Sequence, residues 1–280
     1  MKILNNEDLS KHTTIRIGGI ADKMLVPEST QELIDIINEH NPQYFIGGGS
    51  NLLINDRHFD LVVDLKSFNC TIENLGDGKY FVGASVYLTK FIKVINDDGY
   101  GGIEYLCNVP GCVGGAIAMN AGTGKAKNQA ISDYVHYIEV IRDGKLIKMT
   151  RDECDFSYRD SLFKHNTNYI ISAAIFQFPV MNQTESEEAK MEKIQYYRKH
   201  QDPSAPNFGS VFKLSSPKIM RLVKKCKVGN RKVHFSGKTS NWLLNEYHGS
   251  YEDAIKAIKK AELLHKIFGK KCVREVVVWR

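Results

Sequence analysis

Apolar residues along this chain keep two rhythms, and the change from one to the other marks the elements. Short β-branched and aromatic runs read as strands: Tyr44-Phe45-Ile46, Leu61-Val62-Val63, Tyr80-Phe81-Val82 and residues 170–178. The β-branched run Ile15-Arg16-Ile17 precedes a Gly18-Gly19 turn, and residues 137–141 and 145–149 form a hairpin pattern around Asp143-Gly144. Ser29-Thr30-Gln31-Glu32 is a capping box, and the apolar stretch after it predicts a helix. Residues 89–95 predict a second helix. Beyond residue 180 the texture changes. Residues 181–190 are polar and acidic and read as a linker running into a helix that ends near His200. Ser216-Pro217 opens another helix, since proline is tolerated at the first helical position. Ser250, with Asp253 three residues on, caps a long helix with the apolar stripe Ala254, Ile258, Ala261, Leu264 and Phe268, and Gly269 stops it. Residues 273–279 read as one closing strand. The pattern predicts two α+β domains, a larger one to about residue 180 and a smaller one after it.

Composition narrows the class. Hydrophobic residues make up 42% and charged residues 25% of 280, the balance of a globular protein able to bury a core. No apolar run approaches the roughly 18 residues of a membrane span, and the polar N-terminus does not resemble a signal segment. A cytoplasmic protein without a membrane partner is expected. The six cysteines are scattered with no C-x-x-C pair, so reduced thiols are expected rather than a disulfide framework or a metal site. The net charge of +6 gathers at 218–232 and 256–271, which read as solvated helix faces or as contacts to the phosphates of a small ligand. No RNA-binding signature or stacking pattern accompanies the charge, so nucleic acid is not expected. Nothing in the sequence bears on oligomeric partners.

Two glycine-rich segments carry candidate chemistry. Gly47-Gly48-Gly49-Ser50-Asn51 follows a strand directly; glycines there permit positive φ and leave backbone N–H groups free to approach a phosphate. It runs on as Leu52-Leu53-Ile54, so it is not a Rossmann turn, and Gly124-Lys125 and Gly237-Lys238-Thr239 lack the earlier glycine of a P-loop. The second segment, Asn108-Val109-Pro110-Gly111-Cys112-Val113-Gly114-Gly115-Ala116-Ile117-Ala118-Met119-Asn120, is small and apolar after a Pro-Gly turn. Each alone suits a tight turn or a packing segment. Two in one domain favour a large phosphate-bearing cofactor.

These segments, with His12-Thr13-Thr14-Ile15-Arg16-Ile17-Gly18-Gly19, Tyr158-Arg159-Asp160-Ser161, Arg198 to Gln201, Gly209-Ser210-Val211-Phe212-Lys213 and Arg274-Glu275-Val276, resemble the UDP-N-acetylenolpyruvoylglucosamine reductase family, in its shorter form without a tyrosine-bearing insertion loop. The matches occur in family order over nearly the whole chain. The resemblance implies an α+β fold: a vanillyl-alcohol-oxidase-type FAD-binding domain of two α+β subdomains (1–180), a substrate domain (181–272), and a terminal strand (273–280) returning to the active site. It implies non-covalent FAD with NADPH as reductant, and a small nucleotide-sugar substrate. Gly47, Gly48, Gly49, Ser50 and Asn51 would hold the FAD diphosphate. Pro110, Gly111, Gly114, Gly115, Met119 and Asn120 would line the flavin, and no metal is implied. Lys213, Arg198 and Gln201 would bind substrate, and Arg159, Ser210 and Glu275 match the catalytic positions.

The implied reaction saturates an enolpyruvyl ether in peptidoglycan precursor synthesis. Hydride reaches the terminal methylene carbon, and negative charge spreads from the adjacent carbon into the substrate carboxylate. Arg159 offers a planar cation to that carboxylate. Glu275 donates only in its protonated form, which burial favours. Ser210 delivers the closing proton; what polarises it is not visible in the sequence. The chain departs from the family at Leu214-Ser215-Ser216, where an asparagine-proline pair is usual. It departs again at Thr239-Ser240-Asn241-Trp242, where the family has histidine–x–asparagine–phenylalanine, and at Val228-Gly229-Asn230, where the glycine-rich stretch ahead of that segment is reduced. Those departures leave two alternatives: a flavin reductase acting on another nucleotide-sugar, or a non-catalytic flavin-binding paralogue.

Overall fold

The computed structural model describes residues 1–124 and 129–280; Lys125, of the rejected Gly124-Lys125 pair, lies outside them. Contacts divide the chain into two units, and neither is a continuous stretch. One comprises Met1–Leu4, Met24–Gly48 and Leu61–Tyr197; the other Asn5–Lys23, Gly49–Asp60 and Arg198–Arg280. Where a linear division near residue 180 was expected, contacts group two early stretches with the C-terminal third.

In the first unit, five antiparallel strands stand in the order Ile72–Gly76, Lys79–Gly83, Tyr169–Gln177, Val135–Arg142, Lys145–Thr150. The last two are the expected hairpin, with Asp143 at φ 50° and Gly144 at φ 67°, the left-handed pair that a twisted two-residue turn requires. Seven of the nine residues of Tyr169–Gln177 are buried in succession before Gln177, because both faces of this central strand are covered. Phe91 of the helix Leu88–Asp97 packs on Phe176 at 5.1 Å and Phe178 at 5.6 Å between ring centroids. The helix Thr30–His40 starts as expected, Ser29 accepting from the Glu32 amide at 3.2 Å. The strand Phe45–Ile46 runs parallel to Val63-Asp64 and ends a four-stranded sheet ordered Lys2–Asp8, Ile20–Val26, His58–Asp64, Phe45–Ile46; the boundary between the units falls inside the first three strands.

The expected linker at 181–190 is instead the start of a helix, Gln183–His200. Asn182 and Glu185 form the capping box that begins it: the Glu185 amide donates to Asn182 Oδ1 at 2.9 Å, and the Asn182 amide to Glu185 Oε2 at 3.1 Å. Only Ser186 of this helix is buried, so it has no apolar stripe to announce it.

The second unit has three two-stranded sheets. Phe212–Leu214 pairs antiparallel with Val273–Arg274, Val233–Phe235 antiparallel with Leu243–Asn245, and Val277–Trp279 parallel with Leu52–Ile54. The closing strand is thus broken in two at Glu275-Val276, because its halves pair with different partners. The helices Pro217–Lys225 and Tyr251–Ile267 pack on these strands around Val211, Phe212, Met220, Val223, Phe235, Leu243, Ala254 and Ile258. Ile15 and Ile17 enter the same core, though their run is a loop rather than a strand: Arg16 sits at φ 57° and Thr13 Oγ1 donates to the Ile17 carbonyl at 3.0 Å. Ala254, Ile258 and Ala261 are buried as expected, but Phe268 is 56% exposed. It lies past the last helical residue, where the chain turns at Gly269, φ 61°.

Candidate active site

In the first unit the two glycine-rich segments meet. A Cβ on Gly48 would stand 2.8 Å from Gly111 Cα, so the backbones touch and Gly48 has no room for a side chain, while Gly111 has φ 129°. Gly111 is held by its carbonyl, which accepts from the Leu88 amide at 3.1 Å; the Val113 and Gly114 amides donate to Val86 and Ala84 at 2.8 and 2.9 Å. A Cβ on Gly47 or Gly115 would meet nothing within 4 Å. These two glycines present bare backbone to open space, as a flat or phosphate-bearing group needs. Pro110 is exposed, and Met119 half-buried, at the end of the short helix Val113–Ala118.

Asn120 is buried at φ 41°, and its side chain is used inside the fold: Nδ2 donates to the Ser157 carbonyl at 2.9 Å, and Oδ1 accepts from the Ser132 amide at 3.4 Å. Ser161 Oγ donates to the Ala118 carbonyl at 2.7 Å. These bonds tie the loop carrying Arg159 to the second glycine-rich segment. Arg159 occupies a tight turn closed by mutual amide–carbonyl bonds between Ser157 and Asp160, at 3.0 and 3.1 Å, and has φ 56°. A non-glycine residue held in the left-handed region is a strained position that the surroundings must enforce. Close by, burial pushes the pKa of the Tyr105 phenol well above its ordinary range; Tyr134, Asp133 and Glu104 add to that and the Arg159 charge opposes it.

In the second unit the glycine run continues. Gly49 has φ 61°, and a Cβ there would stand 1.9 Å from the His12 carbonyl oxygen, so no other residue fits. Its own carbonyl accepts from the Thr14 amide at 3.1 Å, which joins the His12-Thr13-Thr14 motif to the glycine run. Asn51 Nδ2 donates to the Glu275 carbonyl at 3.1 Å, and the Val277 amide to the Asn51 carbonyl at 3.0 Å. The Glu275 amide donates to the Val211 carbonyl at 2.8 Å. Ser50, Asn51, Ser210 and Glu275 are therefore brought to one place, at the break of the closing strand.

Asn241 fastens the Ser210 side of that place. Its carbonyl accepts from the Val211 amide at 2.9 Å, its Oδ1 from the Phe212 amide at 3.1 Å, and its Nδ2 donates to the Phe212 carbonyl at 2.8 Å. Ser210 bridges to Trp242. The same 236–242 loop holds residues 198–202: Lys238 Nζ donates to the Arg198 carbonyl at 2.7 Å, Thr239 Oγ1 to the His200 carbonyl at 2.8 Å, and Ser236 Oγ to Asp202 Oδ2. Arg198 is exposed, while Gln201 and Lys213 are half-buried. Leu214 pairs with Val273 and is half-buried, at the end of its strand. Arg159 belongs to the first unit and is not among this group. The roles of Asn241 and of Asn51 as backbone clamps have no sequence signal beyond the residue type.

The residues suit FAD by one further observation. Thr14 Oγ1 and Asn108 Nδ2 are buried polar atoms with no hydrogen-bond partner among the described residues, as is the Tyr105 hydroxyl. Buried donors normally find partners. Thr14 adjoins Gly49 in the second unit, and Asn108 precedes Pro110-Gly111 in the first, so each glycine-rich segment has a buried orphan donor beside it.

Residues 21–150 match the FAD binding domain family, which sets the class: a flavin-binding protein. The chain is 35% identical to the UDP-N-acetylenolpyruvoylglucosamine reductase of Carboxydothermus hydrogenoformans over 99% of its own length and 93% of that protein's. It is 30% identical to the Bacillus velezensis enzyme of the same name over 98% and 90%. Its fold is similar to the solved UDP-N-acetylenolpyruvylglucosamine reductase of Thermus caldophilus, with a TM-score of 0.82 at 22% identity over 100% and 98% of the two chains. The chain belongs to the UDP-N-acetylenolpyruvoylglucosamine reductase family.

Proposed function

We propose that this chain uses FAD and NADPH to reduce UDP-N-acetylglucosamine enolpyruvate to UDP-N-acetylmuramate, in the cytoplasm, as a step of peptidoglycan precursor synthesis. The observation that carries the reading is the meeting of Ser210 and Glu275 beside Asn51 of the glycine run, in a chain whose relatives carry the reductase name. FAD, when bound, supplies the hydride chemistry, taking electrons from NADPH and delivering them to the terminal methylene carbon of the enol ether.

The chain's own residues do the rest. Gly47 to Asn51 bind the cofactor diphosphate through backbone amides, and the Pro110–Gly115 stretch admits the ring at backbone distance. Arg159, fixed in its turn, orients the substrate carboxylate and meets the charge that develops there. Ser210 gives its hydroxyl proton to the carbon that bears that charge, which completes the lactyl ether, and Glu275 stabilises the same charge as a donor. Arg198, Gln201 and Lys213 hold the nucleotide diphosphate away from the reacting carbon, so they act mainly on binding.

Steady-state NADPH oxidation with and without the enolpyruvyl nucleotide tests this. The expected result is oxidation that depends on the nucleotide, with a product two hydrogens heavier by mass spectrometry. A yellow protein that oxidises no NADPH in response to the nucleotide contradicts the acceptor; a colourless protein that takes up no FAD contradicts the flavin reading itself.

A further inference from the structure

The helix Tyr251–Ile267 has one face that the fold uses and one that it leaves in water. Ala254, Ala257, Ile258, Ala261 and His265 are buried. His265 is fixed inside, with Nδ1 bonded to the Ala261 carbonyl at 2.8 Å and Nε2 accepting from the Ser216 amide at 3.0 Å. On the outer face Lys256, Lys259, Lys260 and Lys266 are exposed, with Lys270 and Lys271 just beyond the helix. Between them stand Leu263, 55% exposed, Ile267, 66%, and Phe268, 56%. Leu263 and Ile267 are four residues apart and hence neighbours on the helix surface. Other large exposed apolar side chains, such as Leu75, Leu146 and Val180, lie apart from one another in the sequence.

The charge around this cluster is mostly positive. Over residues 256–271 the single carboxylate is Glu262, which is half-buried and bonded to Arg274 Nη2 at 2.6 Å; one turn earlier, exposed Glu252 pairs with Lys256 at 3.7 Å. An apolar cluster in water marks an interaction surface. Ringed by lysines whose stems can lie along an apolar phase while their ammonium groups stay in water, it fits the boundary of a bilayer. Nucleic acid would use the lysines and leave the three apolar side chains wet.

We infer that this face docks reversibly on anionic lipid headgroups at a membrane surface. Three apolar side chains and five lysines beyond the Glu252–Lys256 pair are two weak anchors that hold only together, so binding is reversible and weakens with salt. The sequence offered no membrane partner because no segment spans a bilayer, and none of the described helices is long and apolar enough to do so; a surface contact needs no such segment.

Co-sedimentation of the full chain with vesicles tests the inference, using phosphatidylglycerol mixed with phosphatidylcholine against phosphatidylcholine alone. Binding is expected to be at least about tenfold tighter to the anionic vesicles and to fall with added salt. Ile267→Ser with Phe268→Ser, and separately Lys266→Glu with Lys270→Glu, should each weaken it by about tenfold or more while NADPH oxidation in solution is unchanged. The inference is overturned if anionic vesicles capture no wild-type protein, if neutral vesicles bind it equally, or if the serine variant binds like wild type. Self-association in place of vesicle binding, abolished by the serine pair, would assign the face to a second copy instead.

Discussion

At the scale of single residues, the proposed FAD contacts rest on what is missing around Thr14 in one unit and around Gly115 in the other. Thr14 Oγ1 is buried without a partner among the described residues, and a Cβ on Gly115 would meet nothing. Thr14→Val keeps the shape and removes a donor that the fold does not use. It should leave apoprotein stability unchanged or slightly raised, and weaken FAD binding by about ten- to a hundredfold, the worth of a hydrogen bond to a charged group. Gly115→Ala, at a helical position, should likewise spare the apoprotein and weaken FAD by filling the space the ring needs. Flavin titration of each variant beside its melting curve checks both; unchanged FAD affinity in both would mean that the segments are packing devices. Asn241→Ala should act differently. Loss of its two side-chain bonds frees the Ser210–Phe212 backbone, so kcat with the enolpyruvyl nucleotide should fall about tenfold or more, while FAD affinity and reduction by NADPH stay near wild type. Equal loss of both half-reactions would show that Asn241 merely stabilises the fold.

At the scale of elements, end signals were legible and polar bodies were not. Ser29 and Ser250 announce their helices because a cap is a local bond between a side chain and an amide three residues on. The Ser250–Asp253 box carries a testable pH dependence. The Ser250 amide, donating to the Asp253 carboxylate at 3.0 Å, does most to hold that carboxyl below the usual range, and Asn230 assists. A depressed carboxyl contributes stability that is complete above its unfolded value, about 4, and is lost as pH falls through the folded value. Ser250→Ala should cost about 1 kcal/mol near neutral pH, and Asp253→Asn should cost stability near pH 7 and progressively less as pH falls below about 4, as urea titrations across that range would show. A constant deficit for Asp253→Asn would remove its charge from the account. The end of the Gln183–His200 helix was expected, but its first turns were hidden because it buries only Ser186 and offers no stripe. The break at Glu275 was hidden because strand partners are not written in the strand: Val273–Arg274 finds Phe212–Leu214, and Val277–Trp279 finds Leu52–Ile54 more than two hundred residues away. That break is what sets Glu275 beside Asn51 and Val211.

At the scale of the whole molecule, the family was legible because its segments run in order from His12 to Val276, whereas the grouping of those segments was not. The division between units passes between Gly48 and Gly49, inside the glycine run, and Arg159 is assigned to one unit while Ser210 and Glu275 are assigned to the other. Contacts between residues far apart in the chain decide that, and no composition shift along the chain reports it. The chemistry assigned to Ser210 is the central claim, and it separates the two halves of the reaction. The direct measurement is anaerobic stopped-flow of enzyme-bound flavin in wild type and Ser210→Ala. Reduction by NADPH should proceed at nearly equal rates in both, and reoxidation by UDP-N-acetylglucosamine enolpyruvate should be at least about 100-fold slower in the variant, the range for losing a positioned proton donor. Reoxidation of both proteins at one rate would contradict the assignment.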